Sequence, residues 1–172
     1  STRNFAMFFV NDVLQVPNPA TVTTYLTAVI FVFLLITSLL GGYLSDKMGR
    51  KKLLFAAGLL AFIGTALLTF STTIPMVMVA GAFLGLGTGT FMSANWALGT
   101  DLVPAKDAGR YLGISNLAGA GAGIAGSSIG GPLADYFNSI QPGLGYPVIF
   151  ALYGGLFFLS ALLLPKINPD DH

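Results

Sequence analysis

The chain has 172 residues, of which 54% are hydrophobic and only 9% charged, with 8 bases against 7 acids. A soluble domain carries about a quarter charged residues, so this chain lacks polar cover for water and belongs in a lipid bilayer; its near-neutral balance gives no basis for a nucleic-acid partner. Cysteine is absent and the one histidine, His172, is the last residue, which leaves no disulfide, no metal site, no cofactor and no histidine-based catalytic pair to expect.

In chain order, residues 1–15 open with an apolar run from Asn4 to Val10 that is shorter than the roughly 20 residues a spanning helix needs. No signal-peptide cleavage pattern follows it, so it is expected to be the end of a partial first helix that starts upstream. Five further spans are expected at about 21–40, 53–70, 75–98, 111–134 and 148–164. Most prolines, such as Pro19, Pro75 and Pro147, fall at helix starts or in loops, where a missing N–H is tolerated. Pro132 falls near the end of span 111–134, and Gly131-Pro132 is expected to end or bend that helix.

Bases set the orientation, because cytoplasmic loops retain Lys and Arg. The loops with Lys47, Arg50, Lys51 and Lys52 and with Lys106 and Arg110, and the tail with Lys166, are therefore expected inside. The base-free loops 15–20, 71–74 and 135–145 are expected outside. Within this frame GGYLSD (41–46) recurs as GGPLAD (130–135), and NDVL (11–14) recurs as TDLV (100–103) at the same offset. Asp12 then aligns with Asp101, and Asp46 with Asp135. One copy of each pair lies inside and the other outside, and only the inner copy of the longer motif carries bases. The expected fold is all-α: a polytopic membrane helix bundle built from two inverted three-helix repeats.

GYLSDKMGRKK (42–52) resembles the signature of the major facilitator superfamily, Gly-x-x-x-Asp-(Arg/Lys)-x-Gly-(Arg/Lys)-(Arg/Lys), at every specified position. ALGTDLVPAKDAGRYLGISN (97–116) is similar to the link between the tenth and eleventh helices of many members. The resemblance implies that residues 1–172 are the C-terminal six-helix half of such a transporter, helices seven to twelve, with the seventh truncated. It also implies a missing N-terminal half as partner and a small-molecule substrate, moved by secondary active, rocker-switch alternating access as symporter or antiporter. The expected location is the plasma (inner) membrane, multi-pass, with a cytoplasmic C-terminus. The alternative is a stand-alone six-helix membrane protein that homodimerises or acts as a non-transporting receptor.

In the signature, Gly42 permits close approach of another helix and Gly49 a turn with positive φ. Asp46 can pair with Arg50 or accept N–H groups from a neighbouring helix start; Lys47 and Lys51 fix topology. The resemblance assigns Gly42, Asp46, Lys47, Gly49, Arg50 and Lys51 to a conformational lock. Asp101, Asp107 and Arg110 form a second cytoplasmic cluster, in which Asp107 can cap the helix that follows. Gly81, Gly85 and Gly89 lie four apart, as do Gly119/Gly123 and Gly126/Gly130, a spacing that lets helix backbones touch in a membrane. Candidate substrate contacts are Arg3, Asn95, Trp96 and Asn116, polar or aromatic groups within spans. No Asp, Glu or His lies mid-membrane in a complete span.

Overall fold

The computed structural model describes residue 9 and residues 17–102 and 107–163. They form helices α1 (Pro19–Met48), α2 (Arg50–Thr69), α3 (Ile74–Leu102), α4 (Ala108–Ile140) and α5 (Gly145–Leu163), with no strand among the described residues. Helices are what apolar sequence forms in lipid, because each bonds its own backbone where water is absent. Threonines inside the apolar runs follow the same rule: Thr37 donates to Phe33 O and Thr65 to Ala61 O, each one turn back. Among the described residues, four helices are long and apolar enough to cross a membrane: α1, α2, α5 and the 74–97 part of α3.

Two helix ends lie beyond the apolar stretches that mark the spans. The apolar run of α1 fades near residue 40, but the helix continues to Met48 and carries the first half of the signature as its last two turns. Its 30 residues are about 45 Å long, so its end projects beyond the roughly 30 Å hydrocarbon layer. The helix stops at Gly49, which has φ 86° and donates its N–H to Ser45 O at 3.0 Å; Leu53 N–H then donates to Gly49 O at 3.1 Å and starts α2. One glycine thus ends one helix and opens the next.

The second is at Gly131-Pro132, expected to end or bend the helix. Pro132 stays inside α4, which runs on to Ile140 and only then turns, through Gly143 with φ 86°. A proline removes one backbone donor and need not end a helix whose other hydrogen bonds persist. α4, which contains the expected span 111–134, is rich in glycine and serine, and these dilute its apolar content.

The packing order is α1–α3–α2–α5–α4, with α3 central to the first three helices and α4 resting on α5. α1 and α3 run parallel, since Gly81 meets Leu26, Gly85 meets Ile30 and Gly89 meets Leu34. α2 runs antiparallel to α3, with Gly64 against Leu84 and Gly87 against Ala61. Phe9, Leu26, Leu68, Val77, Leu84, Tyr146 and Phe150 form the core at the base-free end. Leu53, Leu54 and Ala94, with Leu44 against them, form a smaller one at the basic end.

Candidate functional site at the basic end of the bundle

The last turns of α1, the Gly49 turn, the first turn of α2 and the C-terminal end of α3 converge here. The close approach of α1 to α3 occurs at Gly41: it is buried, and a Cβ there would collide with the Ser93 side chain. Gly42, expected to receive a helix, is exposed with nothing within 4 Å of a Cβ built on it. Helical phase explains the difference. Gly41, Ser45 and Thr37 are one turn apart on the α3-facing side, whereas Gly42 is rotated about 100° away.

Arg50 bridges the elements. Half-buried at the first position of α2, it donates from its guanidinium to the carbonyl oxygen of Ala97 on α3. Asp46, offered by the sequence as its partner, stands exposed in the last turn of α1. A guanidinium suits this task because it stays charged and carries several donors in a rigid plane. Lys47 Nζ lies 5.9 Å from the centre of the Tyr43 ring, and Lys51 is half-buried. Ser45, 1% exposed, has a hydroxyl with no hydrogen-bond partner among the described residues. Ser45→Ala is therefore expected to be neutral or to stabilise the fold by up to about 1 kcal/mol, since it removes a buried polar group. Thermal unfolding of the two proteins in the same detergent checks this.

The second cluster is only partly visible. The Asp101 side chain and residues 103–106 lie outside the described residues, as does Arg3. Asp107 holds the N-cap position of α4 but makes no side-chain cap hydrogen bond. Its φ of −108° and ψ of 1° differ from the extended geometry that aims a capping carboxylate at the next N–H groups. Arg110 is exposed. Asn95 and Trp96 on α3 and Asn116 on α4 are also exposed, on helices separated in the packing order by α2 and α5.

The glycine faces divide sharply. A Cβ at Gly81 would strike Leu26, one at Gly85 the Ile30 carbonyl oxygen, and one at Gly89 the Leu34 carbonyl and Thr37 hydroxyl. On α4, Gly119 and Gly123 have nothing within 4 Å. Gly126 accepts a hydrogen bond on its carbonyl from Tyr153 Oη at 2.9 Å, and Gly130 is buried. Sequence reasoning missed Gly87, where a Cβ would lie 2.8 Å from Ala61 N, and Gly64, where it would lie 2.9 Å from Leu84 N. The small residues Ala57, Ala61 and Gly64, spaced four and three apart on α2, were the signal that could have found this second face.

The two copies of the repeated motif share their burial. Gly41 and Gly130 are buried, Ser45 and Ala134 are buried, Leu44 and Leu133 are half-buried, and Asp46 and Asp135 are exposed. The second copy closes differently: Gly145 packs on the Ala134 carbonyl, and its N–H donates to Asn138 Oδ1 at 2.8 Å.

With an all-helical, membrane-crossing bundle and this turn in place, the sequence profile of the Major Facilitator Superfamily matches residues 2–172. The chain belongs to that superfamily. It is similar to the Multidrug resistance protein MdtG of Proteus mirabilis (strain HI4320), 33% identical over 146 residues, which cover 83% of this chain and 36% of that protein. It is similar to the Vacuolar membrane amino acid uptake transporter fnx2 of Schizosaccharomyces pombe, 40% identical over 96 residues, covering 56% of this chain and 16% of that protein. The Minor myo-inositol transporter IolF of Bacillus subtilis is 31% identical over 87 residues, covering 51% of this chain and 20% of that protein. The matched stretches thus span 16% to 36% of these relatives' lengths.

Proposed function

We propose that this chain forms part of a secondary transporter and supplies one six-helix half, which rocks against a second half to carry a small organic solute. The observation that carries this reading is the full superfamily signature, folded so that Arg50 fastens the first turn of α2 to the α3 carbonyl of Ala97. The relatives' names speak of myo-inositol, amino acids and multidrug resistance, which supports a small organic solute as the substrate class. It is a transporter and not an enzyme. Its setting is the plasma membrane, with the basic end and the C-terminus facing the cytoplasm.

In this reading the lock works at the basic end. Gly42 and Asp46, exposed on a side of α1 turned away from α3, face the second half. Asp46 there accepts N–H groups from a helix start across the divide, while Arg50 keeps α1, α2 and α3 moving as one body. Gly119 and Gly123 offer α4 as a smooth surface to the same partner. Asn95, Trp96, Asn116 and Arg3 line the solute path.

Asp46→Asn is expected to weaken the inward-closed state. In proteoliposomes containing the full-length protein, cysteine labelling from the basic side should rise several-fold and solute uptake should fall. Unchanged labelling together with unchanged uptake would refute the lock.

A further inference from the structure

The base-free end of the bundle carries one charge that the transport reading does not use. Asp135 stands exposed on α4, and among the described residues it is the one charged side chain at that end. Its neighbour Ala134 packs on Gly145, and Tyr146 beside that glycine belongs to the core with Leu26 and Val77, which fixes the place. The ordinary tasks of such a group fall to others. Acidic residues contribute little to membrane orientation. No base lies three or four residues away on the helix, where Gly131, Pro132, Asn138 and Ser139 stand. The N–H that opens α5 is satisfied by Asn138.

The two stretches GGYLSD and GGPLAD each present a packed side and an open side. On the packed side are Gly41 and Ser45 of α1 and Gly130 and Ala134 of α4, all buried. On the open side are Gly42 and Asp46 of α1 and Gly131 and Asp135 of α4, in each pair a glycine and an acid one turn apart. A Cβ at Gly42 or Gly131 has nothing within 4 Å, and both carboxylates are exposed. The glycine leaves a floor without a side chain, which the backbone of another helix can approach. The carboxylate one turn on is then placed to accept N–H groups from that helix's first turn, where negative charge is favoured. A long lysine or arginine side chain would reach the acid without needing the glycine.

We infer that Gly131 and Asp135 form a second latch, which takes a helix start of the other half at the base-free end when that end is closed. The inference rests on the transport reading, in which both ends close in turn and Asp46 serves the basic end alone. The two latches oppose each other, so releasing one favours closure at the other.

The test uses the full-length protein in proteoliposomes, freed of other cysteines, with Leu39→Cys or Ser128→Cys as reporter. Each reporter lies seven residues before its acid, on the same side of the helix, and both positions are exposed. Asp135→Asn is expected to raise maleimide labelling at position 128 and to lower it at position 39. The ratio of the two rates should move about fivefold, the effect of losing one charge at a helix start. Asp135→Lys should move it further the same way, Asp46→Asn should move it the opposite way, and the double asparagine variant should return it to near wild type. Thermal midpoints taken alongside separate a shift between states from a folding defect. Unchanged labelling at both positions in Asp135→Asn, or a shift in the direction of Asp46→Asn, would overturn the second latch. If Asp46→Asn still shifts labelling in that case, the transport reading stands; if neither variant does, the lock at the basic end fails with it.

Discussion

Gly85→Leu is expected to destabilise the bundle by about 3 kcal/mol or more, because a side chain would have to fit where two backbones already touch. Even the first added carbon meets the Ile30 carbonyl oxygen and lies 2.9 Å from Phe33 Cβ. Relief requires α1 and α3 to separate, and α3 has no room to retreat. On its other side Gly87 is packed against Ala57 and Ala61 of α2, so a shift away from α1 drives α3 into α2. The measurement is the thermal midpoint and the monodisperse fraction after detergent extraction, with Gly121→Leu as comparison. Gly121 has nothing within 4 Å, so leucine there is expected to leave the midpoint within about 1 °C of wild type. If α4 faces a second half, Gly121→Leu reduces solute uptake without changing the midpoint. A normal midpoint for Gly85→Leu would mean that the α1–α3 contact is not the rail on which the bundle is built.

How far these features were legible in the sequence depends on which force set each one. Apolar runs of spanning length lie within α2, α3 and α5, because burial in lipid is what makes such sequence helical. The α1 helix outlasts its apolar run, since polar and charged residues such as Asp46 and Lys47 do not break backbone hydrogen bonds. The break comes at Gly49, where φ is 86°. Within this chain helical phase puts Gly41, not Gly42, against Ser93. Spacing alone could not say which glycine stripes have partners. Gly81, Gly85 and Gly89 press on α1, whereas Gly119 and Gly123 share the same spacing and meet nothing among the described residues. In the repeated motif Gly41 and Gly130 are both buried, as are Ser45 and Ala134. The Arg50–Ala97 contact was not legible at all, because its acceptor is a backbone carbonyl, and every residue carries one.

That contact sets up the second large effect. Arg50→Gln removes a charged donor from the Ala97 carbonyl oxygen and is expected to cost about 1.5–3 kcal/mol, the range for hydrogen bonds to charged groups. Arg50→Lys is expected to recover only part of this, because an ammonium on a flexible stem does not reproduce the planar fork. Hydrogen exchange at the start of α2 and thermal unfolding read the loss, and solute uptake reads whether α1, α2 and α3 still move together. The decisive comparison is with Asp46. If Arg50 acts through α3 while Asp46 faces outward, Asp46→Asn and Arg50→Gln touch different partners, and their effects on stability should add to within about 0.5 kcal/mol. A coupling well above 1 kcal/mol in that double-mutant cycle would show the two side chains to be one ion pair, and the proposed lock would then lie within this chain. Additivity divides the labour: the arginine binds α2 to α3, and the aspartate is left to meet whatever closes against it.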